Sequence, residues 1–182
     1  MPFFSHDLGD GYALSLRDAA ADAEVHALVT RNAARLREWE DWADEALTAD
    51  GVAAFTRTGL ESFVAGTMLP CVVRAEGRAV GEVSLRIDPR VAAAELGFWI
   101  DAEHEGRGVV RRAGGAVVRH AFADLGVLRL QIRTAAGNRR SIRLAEALGF
   151  LREGTLRAAE PLGSGRQDVA VYGLLATDVV PS

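Results

Sequence analysis

The chain contains no lysine; all 21 of its basic side chains are arginine. That absence excludes a Schiff-base lysine and a phosphate-loop lysine, and with them two large groups of enzymes. Alanine is plentiful, and the two biases together read as coding composition rather than function. Cys71 is the single cysteine, so neither an internal disulfide nor a multi-cysteine zinc site can form. No apolar run approaches the roughly 18 residues that a membrane-spanning helix needs. The opening Met-Pro-Phe-Phe-Ser-His-Asp has no cationic start and does not read as a secretory signal. Excess positive charge is missing too. A net charge of −4 speaks against affinity for nucleic acid through phosphate neutralisation. His6, His26, His104 and His120 show no metal-ligand spacing, and no metal is expected. These absences predict a reduced, cytoplasmic protein with neither membrane nor nucleic acid as a partner.

What is present is an ordinary globular mixture, 49% hydrophobic and 25% charged over 182 residues. This length predicts one domain over 1–182, large enough to bury about 70% of the surface its unfolded chain exposes. A first strand is expected over 12–17, then helices over 18–31, 37–47 and 50–64, the last capped by Asp50. The period then changes. Strands are expected over 69–75 and 78–87, joined by a Glu76-Gly77 turn, and again over 93–100. Val110, Ala113, Val117, Ala121 and Leu125 recur at steps of three or four, the apolar face of a helix starting near Gly108. A strand over 127–134 follows, and then a helix from Asn138 to Leu148 stopped by Gly149. Two last strands, 150–156 and 168–175, flank a loop containing Gly163 and Gly165. This succession of strands and helices predicts an α/β domain with a mixed sheet.

The most informative stretch is E-L-G-F-W-I-D-A-E-H-E-G-R-G-V-V, from Glu95 to Val110. A strand ends, a short loop passes through Gly106 and Gly108, and a helix begins. Such a turn points unpaired backbone N–H groups at one spot, and the helix dipole adds positive potential. Glycine lets a phosphate approach the backbone without a Cβ in the way. The same spacing also suits an ordinary strand-to-helix turn. Two other phosphate motifs fail: Arg111 stands where a dinucleotide fingerprint needs its third glycine, and a P-loop needs a Gly-Lys pair.

This stretch resembles the acetyl-CoA signature of the GCN5-related N-acetyltransferases, the GNAT superfamily. There a Gln/Arg-x-x-Gly-x-Gly/Ala loop holds the coenzyme pyrophosphate through main-chain amides. Here Glu105 stands at the Gln/Arg position, Gly108 matches the glycine and Val110 replaces the last Gly/Ala. The departures are similar to the RimL-like branch of the RimJ/RimL group, which acetylates protein N-termini. Asn138-Arg-Arg-Ser141, Ala147-Leu-Gly-Phe150, Glu153-Gly154, Leu156-Arg157, Asp168 and the region of Asn32 to Trp42 with Asp50 resemble that group as well.

The resemblance implies a mixed, splayed sheet flanked by helices and an acetyl-CoA-dependent N-acetyltransferase without a metal. It implies a coenzyme site of Phe98, Trp99, Ile100, Glu105, Gly106, Arg107, Gly108, Val109, Val110, Arg111 and Asn138. The pantetheine arm would pair like an added strand where 93–100 splays from 127–134, with an amide near Phe98 to Ile100 polarising the thioester. Ser141 would protonate the leaving thiolate, although its spacing from Asn138 equally suits N3 of a capped helix. Glu160, placed in a flexible segment, would be the base, with Glu95, Glu103 and Glu105 as the other carboxylates. Cys71, in an apolar strand, is expected in the core.

The acceptor implied is the α-amine of a protein or peptide N-terminus. Neutralising an α-amine of pKa near 8 at pH 7 costs about 1.4 kcal/mol, against about 4.6 for a lysine. A modest base therefore suffices. Trp39 and Trp42, among Glu38, Glu40, Asp41, Asp44 and Glu45, either form a solvated acidic helix or wall the acceptor cleft. A small amine (aminoglycoside, polyamine or amino acid) is the alternative acceptor, and a non-catalytic acyl-CoA-binding module is the alternative class. A homodimer is expected only by analogy with the family.

Overall fold

The computed structural model describes residues 5–40, 42 and 48–178. Eight strands form one sheet in the order β1-β2-β3-β4-β5-β6-β8-β7. They are β1 (Ser5–Gly9), β2 (Tyr12–Leu16), β3 (Met68–Ala75), β4 (Arg78–Asp88), β5 (Ala93–Ile100), β6 (Arg129–Ala135), β7 (Leu151–Leu162) and β8 (Gly165–Leu175). Every neighbouring pair is antiparallel except β5 and β6. The helices are α1 (Asp22–Leu36), α2 (Ala49–Val64), α3 (Val109–Ala123) and α4 (Arg139–Ala147). The expected α/β class and flanked mixed sheet are what the chain adopts.

Alternation along β3 shows how the sheet feeds two cores. Cys71 and Val73 face the main core, with Ala113, Val117 and Ala121 of α3. Val72 faces the other side, where Val25, Leu28 and Val29 of α1 and Val52 of α2 are buried. Each fully buried Val or Leu contributes about 1.5–3 kcal/mol of transfer free energy, so both helix layers are held chiefly by apolar contact. The apolar face read for α3 holds at its centre only. Val110 is half-buried beside a cavity, and Leu125 lies past the helix end and is exposed.

Several boundaries differ from expectation. β1 adds a strand before the expected first one: its residues are mostly exposed and polar, with no alternation to reveal it. It returns to β2 through Gly9, Asp10 and Gly11, all in the left-handed region. Thr48, not Asp50, caps α2, its side chain accepting the Gly51 N–H at 3.0 Å. Asp50 lies in the first turn, where the helix dipole favours its charge. The expected helix over 37–47 is a set of turns at 37–39, and its residues 41 and 43–47 lie outside the described residues. The Glu76-Gly77 turn forms as read, with φ of +48° and +83°, the pair of positive values that a two-residue hairpin turn of this kind requires.

The last hairpin is longer than expected. β7 and β8 pair out to Leu162 and Gly165, so Glu160 sits on a strand opposite Gln167 rather than in a loop. A register shift between Leu156 and Glu160 centres on Ala158, at φ +45°. The Asp168 carboxylate accepts the Ala158 N–H at 2.8 Å, and Arg166 donates to the carbonyls of Ala158 and Ala159. These bonds fix the kink that aims Glu160.

Candidate active site

The parallel ladder between β5 and β6 is short. It pairs Ala93 with Arg129, Ala94 with Leu130 and Glu95 with Gln131, and then stops. Both strands continue, β5 along β4 to Ile100 and β6 along β8 to Ala135, so the sheet opens into a V. The Asp101 N–H donates to the Val80 carbonyl at 2.8 Å. Antiparallel alternation therefore turns the N–H groups of Ile100 and Phe98 to the opposite edge, into the V. The Ile100 carbonyl points the same way and accepts from Arg35 of α1.

Past the tip of β5 comes the glycine turn. Gly106 and Gly108 hold φ of +73° and +69°, and Gly108 ends the turn as the residue before α3, with no capping side chain. The N–H groups of Val109, Val110 and Arg111 precede the first intrahelical bond, which Arg112 makes to Gly108. Apart from Gly106 itself and its two chain neighbours, no atom of the described residues lies within 4 Å of where a Cβ on Gly106 would stand. Open approach, free amides and a helix N-terminus suit a diphosphate.

Two cavities meet in the V. One, of 550 Å³, is lined by the turn, the end of β5, the end of α1 and α4. Phe98, Trp99, Ile100, Glu105, Gly106, Gly108, Val109, Val110, Arg111, Asn138 and Ser141 all border it. Arg107 does not: it borders a neighbouring depression with Tyr12 and Arg112. The other cavity, of 370 Å³, is bordered by Glu82, Glu95, Arg133, Thr134 and Glu160. Phe98, Trp99, Glu40 and Ser141 belong to both. Asn138 caps α4 by accepting the Ser141 N–H at 3.1 Å, which holds Ser141 at this junction.

Glu160 bonds to Arg133 through one oxygen, Oε1, at 2.9 and 3.3 Å. Glu95 accepts from Gln131 at 2.9 Å and pairs with Arg86. Glu103 faces the depression beyond the V and Glu105 the first cavity. Trp39 walls the first cavity and Trp42 the second, 6.3 Å from the Trp99 ring. Glu40 borders both cavities; Asp41, Asp44 and Glu45 lie outside the described residues. Cys71 is buried under the smaller cavity, and burial pushes its thiol up to about 12.

Other residues that shape the site carry no local sequence signal. Glu82 on β4 is largely buried, and that burial pushes its carboxyl up, against the lowering effect of the Arg17 charge and of hydrogen bonds from Trp99 and Arg17. Arg17 is also buried and donates to Thr56. Asn32 and Arg31 of α1 grip Asp101; its burial would raise its carboxyl, but their hydrogen bonds, with the Arg31 charge, hold it below the usual range.

Residues 13–151 match the acetyltransferase (GNAT) domain family, and the chain belongs to it. The Bacillus subtilis (strain 168) protein YdaF, a putative ribosomal N-acetyltransferase, is 31% identical over 170 residues, covering 89% of this chain and 88% of that protein. The ribosomal-protein-serine acetyltransferase of Escherichia coli (strain K12) is 36% identical over 99 residues, covering 53% of this chain and 55% of that protein. The solved structure of a RimL ribosomal L7/L12 α-N-protein acetyltransferase in complex with coenzyme A superposes with a TM-score of 0.89 at 22% identity, over 93% of this chain and 96% of that one. That likeness is one of fold. The chain is an N-acetyltransferase of this family, with acetyl-CoA as its co-substrate. Among the described residues no helix is long and apolar enough to cross a membrane.

Proposed function

We propose that the enzyme acetylates the α-amine of a protein or peptide N-terminus by direct attack in a ternary complex. The observation that carries this is the junction of two cavities at Ser141, Phe98 and Trp99, which lets a donor and an acceptor meet from opposite sides. Bound acetyl-CoA supplies an activated thioester. The Gly106–Gly108 turn and the start of α3 would hold its diphosphate, with Asn138 beside the same cavity. The Phe98 and Ile100 amides would receive the extended arm and polarise its carbonyl. Glu160, kinked toward the second cavity with Oε2 left for an acceptor, would take the ammonium proton. The Ser141 hydroxyl would donate to the departing thiolate. A ribosomal protein is the acceptor class suggested by the names of the relatives.

The same reading holds 1–182 to be one domain of a cytoplasmic enzyme, in keeping with one continuous sheet and with acceptors of the ribosome. It also holds the enzyme to be a homodimer. The edge strand β7, with Leu151 and Leu156 exposed, is a surface such a contact could cover.

Coenzyme A release, measured against a panel of N-terminal peptides and small amines, tests the proposal. Turnover with peptides, and little with polyamines, aminoglycosides or free amino acids, is expected. Turnover confined to small amines would replace the acceptor class. Tight acetyl-CoA binding without release from any acceptor would leave a binding module instead of an enzyme of N-termini.

A further inference from the structure

Glu105 is a misplaced charge at first sight. Its carboxylate stands beside the turn proposed to hold a diphosphate, where the family pattern has a neutral or cationic residue. The structure shows what offsets it. One oxygen pairs with Arg35 of α1, and the other lies 2.9 Å from Nη1 of Arg140 on α4. All three side chains border the 550 Å³ cavity. Since α1 packs on the β1–β5 part of the sheet and α4 follows β6, this bridge crosses the open end of the V.

The two arginines are not equivalent. Arg35 is 27% exposed and further tied by bonds to the Asn32 side chain at 2.9 Å and to the Ile100 carbonyl. Arg140 is 70% exposed, and Glu105 is its charged partner among the described residues. One arginine is fixed and the other is held by a single carboxylate.

We infer that Glu105 is an affinity-setting positioning residue, an internal anion that holds Arg140 at the cavity mouth and gives it up to the coenzyme phosphates. The inference rests on the glycine turn being the diphosphate site. Phosphate arriving there competes with Glu105 for Arg140 and meets the carboxylate's own repulsion. Glu105 therefore loosens the complex of coenzyme with enzyme and speeds release of the spent carrier. The local charge of Arg35, Arg140 and Glu105 sums to +1, and without the carboxylate it is +2. A neutral residue of the same shape should bind coenzyme more tightly and with a steeper dependence on salt.

Calorimetric titration of coenzyme A into the full chain, at low and high salt, reads this directly. Glu105→Gln should lower Kd by about fivefold at low salt, the upper scale for one partly exposed ion pair, with the gain shrinking as salt rises. Arg140→Ala should raise Kd, and its exposed position keeps the fold intact whatever Glu105→Gln does. An unchanged or higher Kd in Glu105→Gln would make the bridge a structural tie and overturn the inference. So would an unchanged Kd in Arg140→Ala. Gly108→Asp separates this from the underlying reading. If it abolishes binding while the other two variants match the wild type, the turn is the site and only the role of Glu105 fails. If it binds coenzyme normally, the turn is not the diphosphate site and both fall together.

Discussion

Glu95 and Gln131 face each other across the last rung that joins β5 to β6, with the Gln131 amide donating to Glu95 at 2.9 Å. Beyond them the strands part and the N–H groups of Phe98 and Ile100 turn into the gap. A side-chain bond thus closes the paired segment where the reaction space begins. Arg86 holds the other oxygen of Glu95, so this carboxylate is engaged on both sides. Glu95→Gln should keep kcat within a few-fold of wild type in steady-state assays. A loss near 10²-fold would move the proton acceptor from Glu160 to Glu95.

Removing the proposed base should be partly repaired by pH. Glu160→Gln keeps the strand register but takes the proton acceptor away, so kcat at neutral pH should fall about 10²-fold. An α-amine titrates near pH 8, so at higher pH more acceptor arrives already neutral and part of the loss should return. Ser141→Ala should lose rate without such rescue, since its hydroxyl serves the leaving group. Full rate in Glu160→Gln across the profile would remove it from the mechanism.

Acetyl-CoA should stabilise the fold through the glycine turn. At 100 times its Kd, one bound ligand adds about 2.7 kcal/mol, visible as a rise in Tm. Gly108→Asp combines a side chain at φ +69° with a negative charge among the helix N-terminal amides. The ligand-dependent rise should vanish. Circular dichroism of the unliganded variant shows whether the fold itself survives, and a retained rise in a folded variant would place the coenzyme elsewhere.

The Arg17–Glu82 pair should reveal itself when halved. Arg17→Met strands a buried carboxylate, which costs about 3 kcal/mol. Burial already holds the Glu82 carboxyl above its ordinary value, and loss of Arg17 leaves that effect less opposed. A raised folded-state pKa favours stability at low pH and loses that favour as pH rises through it. The deficit in urea unfolding should therefore be largest at neutral pH and shrink toward pH 4. A deficit that stays constant with pH would mean that lost packing, not charge, is the cause.

Asp101 should behave in the opposite sense. Arg31 and Asn32 hold its carboxyl below the usual range, so its contribution is present above about pH 4, the ordinary aspartate value, and fades as pH falls. Asp101→Asn should cost about 1–2 kcal/mol at pH 7, a modest figure because Arg31 is half exposed to screening solvent. The difference between variant and wild type should narrow as pH falls from 7 to 3. Parallel urea series at the two pH values decide it.

The parts of this molecule that could be read beforehand are those fixed over short distances. β5 falls on 93–100 as expected, because its apolar run is bounded by turn residues on both sides. Asn138 caps α4 and Gly149 follows it at φ +89°, both as local capping chemistry dictates. The glycine turn was legible from two residues and a change of period. Misreadings arose where a partner strand decides. β1 forms because β2 offers an edge, and the strand character of Glu160 comes from pairing with Gln167 and from the Asp168 tether. Thr48 rather than Asp50 caps α2, because residue type alone does not separate two good capping residues two positions apart. Nothing local announced the Arg35–Glu105–Arg140 bridge, whose members lie on three separate segments.

Burial of Cys71 has a practical consequence for chemical labelling. Its thiol is 1% exposed and pushed up to about 12, so it holds its proton at working pH and is closed to alkylating reagents. With no lysine in the chain, amine-directed reagents find no side chain to modify either. A cysteine introduced on the rim of the V would then be the one reactive thiol on the folded surface. Dyes or spin labels could be attached there, on either side of the opening, without first removing a native residue.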